Sequence, residues 1–265
     1  MKGSESPMIT SRQNPLVKEI VEAGRRRPSG LFVLEGPHLA DEALRADVRI
    51  VRVLLGPNAD PHVAARLRER AARVFDASAE VVAHAADSQH PQGIVALAEE
   101  PPLALEPDRA RVGRLLLLDE VRDPGNLGTI MRTAWASGVA GVITVGSCVD
   151  PWNPKAVRAS AGACFHVPVL RIADRAELPP WLETHGQRAL RVEANGRRSC
   201  FEADLSSPVT LVLGSEAHGV HPETAAACAD SLHVPMRGGC ESLNLAATAA
   251  VLCYLALDRE TRLRS

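Results

Sequence analysis

The sequence predicts an α/β chain in two parts: a small N-terminal α/β unit, and a larger C-terminal unit built on a parallel sheet with helices on both faces. Three observations carry this. From Arg111 onward, strand-like apolar runs alternate with helical stretches, the order a parallel sheet requires. Glu99–Asp108 holds three prolines and reads as a linker between the parts. The length of 265 residues suffices for two ordinary domains with full cores. The expected boundaries are an N-terminal domain over 1–100, a linker over 101–112 and a C-terminal domain over 113–265.

The elements follow in order. Residues 1–10 read as a tail. Asn14-Pro15 opens a helix to about Ala23, with Leu16, Val17, Ile20 and Val21 on one face, and an Arg25-Arg26-Arg27 loop follows. Leu31–Leu34 is a predicted strand, Leu39–Leu44 a helix, Arg49–Leu55 a strand, Ala64–Ala72 a helix and Gly93–Ala98 a strand. In the second part, the apolar run Leu115–Leu118 leads through the turn Asp123-Pro124-Gly125-Asn126 into a helix over Asn126–Ser137. Leu127, Ile130, Met131 and Ala134 supply its i, i+3, i+4, i+7 stripe, and Arg132 lies well round from it. Gly141–Val145 is a strand and Pro154–Ala161 a helix carrying Lys155 and Arg158. Phe165–Leu170, Arg188–Val192, Val209–Leu213 and Leu232–Val234 are further strands, and Ser242–Leu257 is a helix apolar nearly all round. Such a helix is expected to be buried on several sides.

Composition bounds the partners. With 46% apolar and 23% charged residues, the balance is that of a globular chain. Aromatics make up 3%, too few for stacking platforms to dominate single-strand binding. The net charge of −2 gives no global basic signature, so any RNA contact must come from local clusters. Lysine occurs only at Lys2, Lys18 and Lys155. The remaining positive charge is arginine, which suits phosphate and fits biased codon usage equally well. None of the six cysteines forms a C-x-x-C pair, which argues against zinc and for a reduced, cytoplasmic setting. The N-terminus lacks the apolar run of a signal peptide, and no uninterrupted apolar stretch is long enough to span a membrane.

Three segments carry the candidate chemistry: LLLLDEVRDPGNLGTIMRTAWA, LVLGSEAHGV and VPMRGGCESLNLAA. Each has a strand run directly into a polar loop, where α/β sheets hold ligands. Gly214 would let a ligand approach the backbone. Glu216 is either a helix-end acid or a holder of the Asp123–Asn126 loop. Ser242 fits an N-cap, whereas Asn244, inside an apolar helix, needs partners for its amide. The sequence contains neither a G-x-G-x-x-G fingerprint nor a G-x-x-x-x-G-K-[ST] loop. His218 and His221 lack a third ligand for a metal, and Ser215 lacks the G-x-S-x-G setting of a hydrolase.

In these residues the chain resembles the SpoU (TrmH-type) branch of the SPOUT methyltransferases. The first motif is Asp123-Pro124-x-Asn126-x-Gly128-x-x-x-Arg132, the second Gly214-Ser215-Glu216-x-x-Gly219, and the third Pro235-Met236 followed by Ser242-Leu243-Asn244. Asp150–Val169 and the N-terminal stretches SRQNPLVKEI, FVLEGPHLADEAL and HPQGIVALA extend the resemblance over most of the chain. It implies a SPOUT-type domain with a deep trefoil knot, preceded by an α/β substrate-binding domain. It further implies a homodimer that methylates RNA ribose 2′-hydroxyls from S-adenosyl-L-methionine; no metal and no membrane are expected from the spacing and apolar runs above. By position it puts donor contacts at Gly214, Val234, Met236, Leu243 and Asn244, and catalytic roles at Arg132, Asn126, Glu216, Ser242 and Asn244.

The chemistry must align a 2′-oxygen with an activated methyl group and help remove a proton. Arg132 is assigned to the hydroxyl. A guanidinium stays protonated in proteins, so two roles stay open: a base, or a clamp on the adjacent phosphate that stabilises a developing alkoxide. Asn126 would orient Arg132 or the ribose, and Glu216 would fix the first loop. RNA contacts are expected at Arg12, Lys18, Arg25, Arg26, Arg27, Lys155 and Arg158, with an ordinary solvated loop as the other reading of Arg25–Arg27. Ribosomal RNA is favoured over tRNA. Of the other classes, a silent RNA-binding member is opposed by the intact motif residues. An enzyme acting on a small nucleotide is opposed by the basic N-terminal part.

Overall fold

The computed structural model describes residues 7–26, 30–102, 104–240 and 242–264. Two compact units emerge. One holds residues up to Pro102 together with Trp152–Phe165, and the other holds Leu103–Pro151 with His166 onward. Residues 152–165 thus group with the N-terminal unit, not with the C-terminal residues that flank them in sequence.

The N-terminal unit contains α1 (Pro15–Arg26), β1 (Leu31–Glu35), α2 (Pro37–Arg45), β2 (Ile50–Leu55), α3 (Pro61–Arg70), β3 (Arg73–Asp76), α4 (Ala79–Ala85) and β4 (Ile94–Glu99). Its sheet runs β1-β4-β2-β3. β4 pairs antiparallel with β1 and β2, and β2 pairs parallel with β3. The Asn14 side chain accepts from the Leu16 amide at 3.0 Å, which starts α1. Val17, Ile20 and Ala23 are buried on its inner face. The helix continues to Arg26, so Arg25 and Arg26 lie in its last turn and not in a loop. There their charge complements the helix C-terminus. Arg27 lies outside the described residues.

The second unit contains α5 (Pro107–Val112), β5 (Arg114–Asp119), α6 (Pro124–Ala136) and β6 (Gly141–Val145). The chain then supplies α7 (Pro154–Ser160) to the first unit and returns with β7 (Val169–Ile172), α8 (Leu178–Thr184) and β8 (Arg188–Val192). β9 (Arg198–Ser199), β10 (Val209–Gly214), α9 (Pro222–Ala226), β11 (Asp230–His233) and α10 (Leu245–Arg264) complete it. The sheet order is β7-β6-β5-β10-β8-β11-β9, and every pairing is parallel. β5, β6 and β10 are buried along their whole length, as expected of strands covered on both faces.

Three expectations need correcting. The run from Phe165 to Leu170 is not one strand: Ala163–Phe165 is a 3₁₀ turn and the strand begins at Val169. Phe165 instead packs against Phe32, with ring centroids 5.8 Å apart. The last helix begins at Leu245, so Ser242 is not its cap and Asn244 is not inside it. Nor is α10 buried all round: Leu245, Ala249, Leu252, Cys253 and Ala256 are buried, whereas Val251 is 37% and Tyr254 51% exposed.

Candidate active site

In the seven-stranded sheet the winding direction reverses between β5 and β10, which are neighbours in register from Val209↔Arg114 to Gly214↔Asp119. Crevices form at the carboxyl ends of strands at such a point. Here β5 ends in Asp119 and β10 in Gly214, and the loops that leave them carry the first two motifs.

A cavity of about 390 Å³ opens at the ends of β8, β10 and β11, closed by the start of α10. Gly214, Val234, Met236, Leu243 and Asn244 all line it, as do Glu216 and Ser242. Val192, Glu193 and Ala194 form a further wall. The sequence offers no spacing signal for that wall, because only the parallel pairing of β8 with β10 and β11 brings it alongside. Gly214 is obligatory. A Cβ there would lie 2.0 Å from the Gly219 carbonyl carbon, because Ser215 and Gly219 exchange backbone hydrogen bonds at 3.0 and 2.8 Å. Gly219 itself holds φ +67°, a left-handed geometry that glycine adopts without strain.

The three motif loops are joined by side-chain amides. Asn244 Nδ2 donates to Asn126 Oδ1 at 3.1 Å, and Asn126 Nδ2 donates to Glu216 Oε1. Asn244 Oδ1 also accepts from the Ala246 and Ala247 amides at 2.9 and 3.3 Å, so Asn244 is the N-cap of α10. Its amide finds the partners that the sequence leaves unassigned. Asp123 caps α6 by accepting from the Asn126 amide at 2.7 Å. Behind this loop, buried Asp119 accepts from Arg175 at 3.0 Å and from the His221 amide at 2.8 Å. The hydrogen bond from Arg175 holds the Glu120 carboxyl below its usual range.

Arg132 does not join this cluster. It stands exposed on α6, outside the lining of the cavity. His221 is structural, its Nδ1 accepting from the Glu223 amide at 3.3 Å at the start of α9. No group of three or more His, Cys, Asp or Glu that could hold a metal occurs among the described residues.

Of the basic residues, Arg12, Lys18, Arg25, Arg26 and Lys155 are exposed. Arg158 is not available as a free cation: its guanidinium pairs with Asp87 at 2.6 Å and lies 3.7 Å from Glu35.

Residues 113–254 match the SpoU rRNA Methylase family. The chain belongs to that family. Within this SpoU protein, residues 14–96 match the MRM3-like substrate binding domain. A 23S rRNA (guanosine(2553)-2′-O)-methyltransferase of Bacillus subtilis is 30% identical over 93% of this chain and 97% of its own length. A 23S rRNA (adenosine(1067)-2′-O)-methyltransferase of Streptomyces laurentii is 30% identical over 96% and 95%. The crystal structure of an AdoMet-bound rRNA methyltransferase from Sinorhizobium meliloti superimposes with a TM-score of 0.84 at 30% identity, covering 97% of this SpoU chain and 99% of its own.

Proposed function

We propose that this SpoU protein transfers the methyl group of S-adenosylmethionine to a ribose 2′-hydroxyl of ribosomal RNA, and that it works in the cytoplasm as a homodimer. The cavity carries the proposal. Its wall of Leu213, Val234, Met236 and Leu243 is apolar, while Gly214 and Gly219 leave backbone bare. A donor with an apolar adenosine part and a polar amino-acid part fits such a lining, and it supplies an already activated methyl group when bound. Gly214, Val234, Met236, Leu243 and Asn244 are the residues that would hold it.

The protein's own groups do the rest. Asn244 and Glu216 hold Asn126 from both sides, so the first motif's loop is fixed against the cavity. Arg132, two turns along α6 from that loop, is free to meet the RNA. A guanidinium there clamps the phosphate beside the reacting ribose and steadies negative charge developing on the 2′-oxygen. Ser242, at the cavity edge, offers a hydroxyl to the same region.

The homodimer rests on α10 and α6. Val251 and Tyr254 are exposed apolar side chains one turn apart on α10, and Trp135 is exposed on α6, which packs against it; a dimer partner would cover them. The deep trefoil knot belongs to the same reading, implied by the family resemblance for the C-terminal unit. The N-terminal unit is assigned to RNA, with Lys18, Arg25 and Arg26 exposed on α1.

Mapping 2′-O-methylation on ribosomal RNA and tRNA from cells with and without this chain tests the function. One ribosomal position should lose its methyl group in the absence of the chain. A change confined to tRNA, or no change, overturns the proposal.

A further inference from the structure

A second cavity lies wholly within the N-terminal unit, between α1, β1, the end of α4 and α7. It measures about 130 Å³ and its walls include Ile20, Val21, Val33 and Ala85, with Gly24 lining it from α1. Arg25, Glu35, His84, Asp87 and Arg158 supply its polar groups. It is a built site. The Glu35 side chain is 7% exposed and accepts from the Asp87 and Ser88 amides at 3.0 and 3.3 Å. Arg158 is fixed by Asp87, and its buried Nη1 faces Glu35 Oε2 at 3.7 Å, an ion pair beyond hydrogen-bond length. A ligand carbonyl beside Nη1 would add the hydrogen bond that this ion pair lacks.

We propose that this cavity receives one unpaired, pyrimidine-sized base of the RNA, resting on the RNA role proposed for the N-terminal unit. Size is the first reason: cavities of about 150 Å³ admit a single six-membered aromatic ring. Charge is the second. The arginines Arg25 and Arg158 are balanced by Glu35 and Asp87, so the cavity favours a neutral group over a free phosphate. Shape and chemistry are the third. Apolar walls beside two planar groups, the anchored Arg158 guanidinium and the His84 imidazole, suit the faces and edges of one ring. Splayed-out bases of single-stranded RNA are read in this way. Arg26, exposed beside the cavity in the last turn of α1, would hold an adjoining phosphate.

The test uses the full chain and two RNA hexamers, oligouridylate and an abasic oligomer with the same sugar–phosphate backbone. Fluorescence anisotropy should show oligouridylate bound about tenfold tighter, the order of effect of one stacked base. Gly24→Leu should erase the difference by filling the cavity. Gly24→Ala should keep it, because a Cβ there would meet Val33 Cγ2 at 3.9 Å, an ordinary contact. Equal affinity of the wild-type chain for both hexamers overturns the proposal without depending on any variant. So does a preference that survives in folded Gly24→Leu with unchanged S-adenosylmethionine affinity. Equal binding with steep salt dependence removes the base pocket and leaves the RNA role standing, whereas no binding of either hexamer removes both.

Discussion

Arg132 projects from α6 into solvent and contributes nothing to the core. Arg132→Ala should therefore abolish methyl transfer while the melting temperature and donor affinity stay near wild type. Arg132→Lys separates the two roles: partial rescue means a point charge suffices, and no rescue means the planar fork is needed. Single-turnover methylation with labelled donor reads both. Asn126 is different, because its amide serves two loops at once. Asn126→Ala should cost about tenfold or more in turnover, since each hydrogen bond removed is worth ~1 kcal/mol, and α6 should remain folded because the Asp123 cap uses only the backbone of residue 126. The cysteines give an independent check of the core. Burial pushes the Cys164 thiol up to about 12 and the Cys228 and Cys253 thiols to about 11. At neutral pH these three should stay protonated and resist alkylation. Cys240 is exposed and should react first, as peptide mapping of a short iodoacetamide pulse will show.

Among the elements, β5, α6 and β6 are legible in the sequence because several local signals agree: an unbroken leucine run, an Asp-Pro cap and a helical apolar stripe. β3 and α4 give no such signal, because Arg73–Asp76 is short and half-exposed, which leaves no alternation to read. The sequence places the start of α10 three residues early because Ser242 looks like a cap. The side chain that satisfies the helix amides is Asn244, chosen by its tertiary bond to Asn126. All five residues that the resemblance assigns to the donor line one cavity. The Val192–Ala194 wall is invisible in the sequence because adjacency across a parallel sheet leaves no spacing in the chain. Arg158 shows the converse limit: composition cannot tell a free arginine from one held by Asp87. Neutralising Arg25, Arg26 and Arg27 together should weaken RNA binding and leave donor affinity unchanged. The log–log salt slope should become shallower by roughly 0.7–0.9 for each phosphate that the arginines no longer neutralise. Superimposable slopes would return these arginines to the role of solvated charges.

At the scale of the whole molecule, the exposed stripe on α10 predicts self-association. Tyr254→Glu should convert a dimer to monomers in analytical ultracentrifugation and lower methyl transfer, because a carboxylate cannot be buried there without a partner. A wild-type chain that sediments as a monomer at micromolar concentration would sink the dimer. The excursion of the chain through residues 152–165 has a consequence for synthesis. Phe32, fully buried in β1, is covered by Trp152 at 4.7 Å and by Phe165. A nascent chain has made β1 long before it has made either ring. The N-terminal unit therefore cannot close its core when its own sheet and helices first leave the ribosome. It must wait, with an aromatic face uncovered, until Phe165 has emerged. A fragment ending at the linker would keep that face open permanently, so separating the units calls for grafting residues 152–165 back on and not for a single cut.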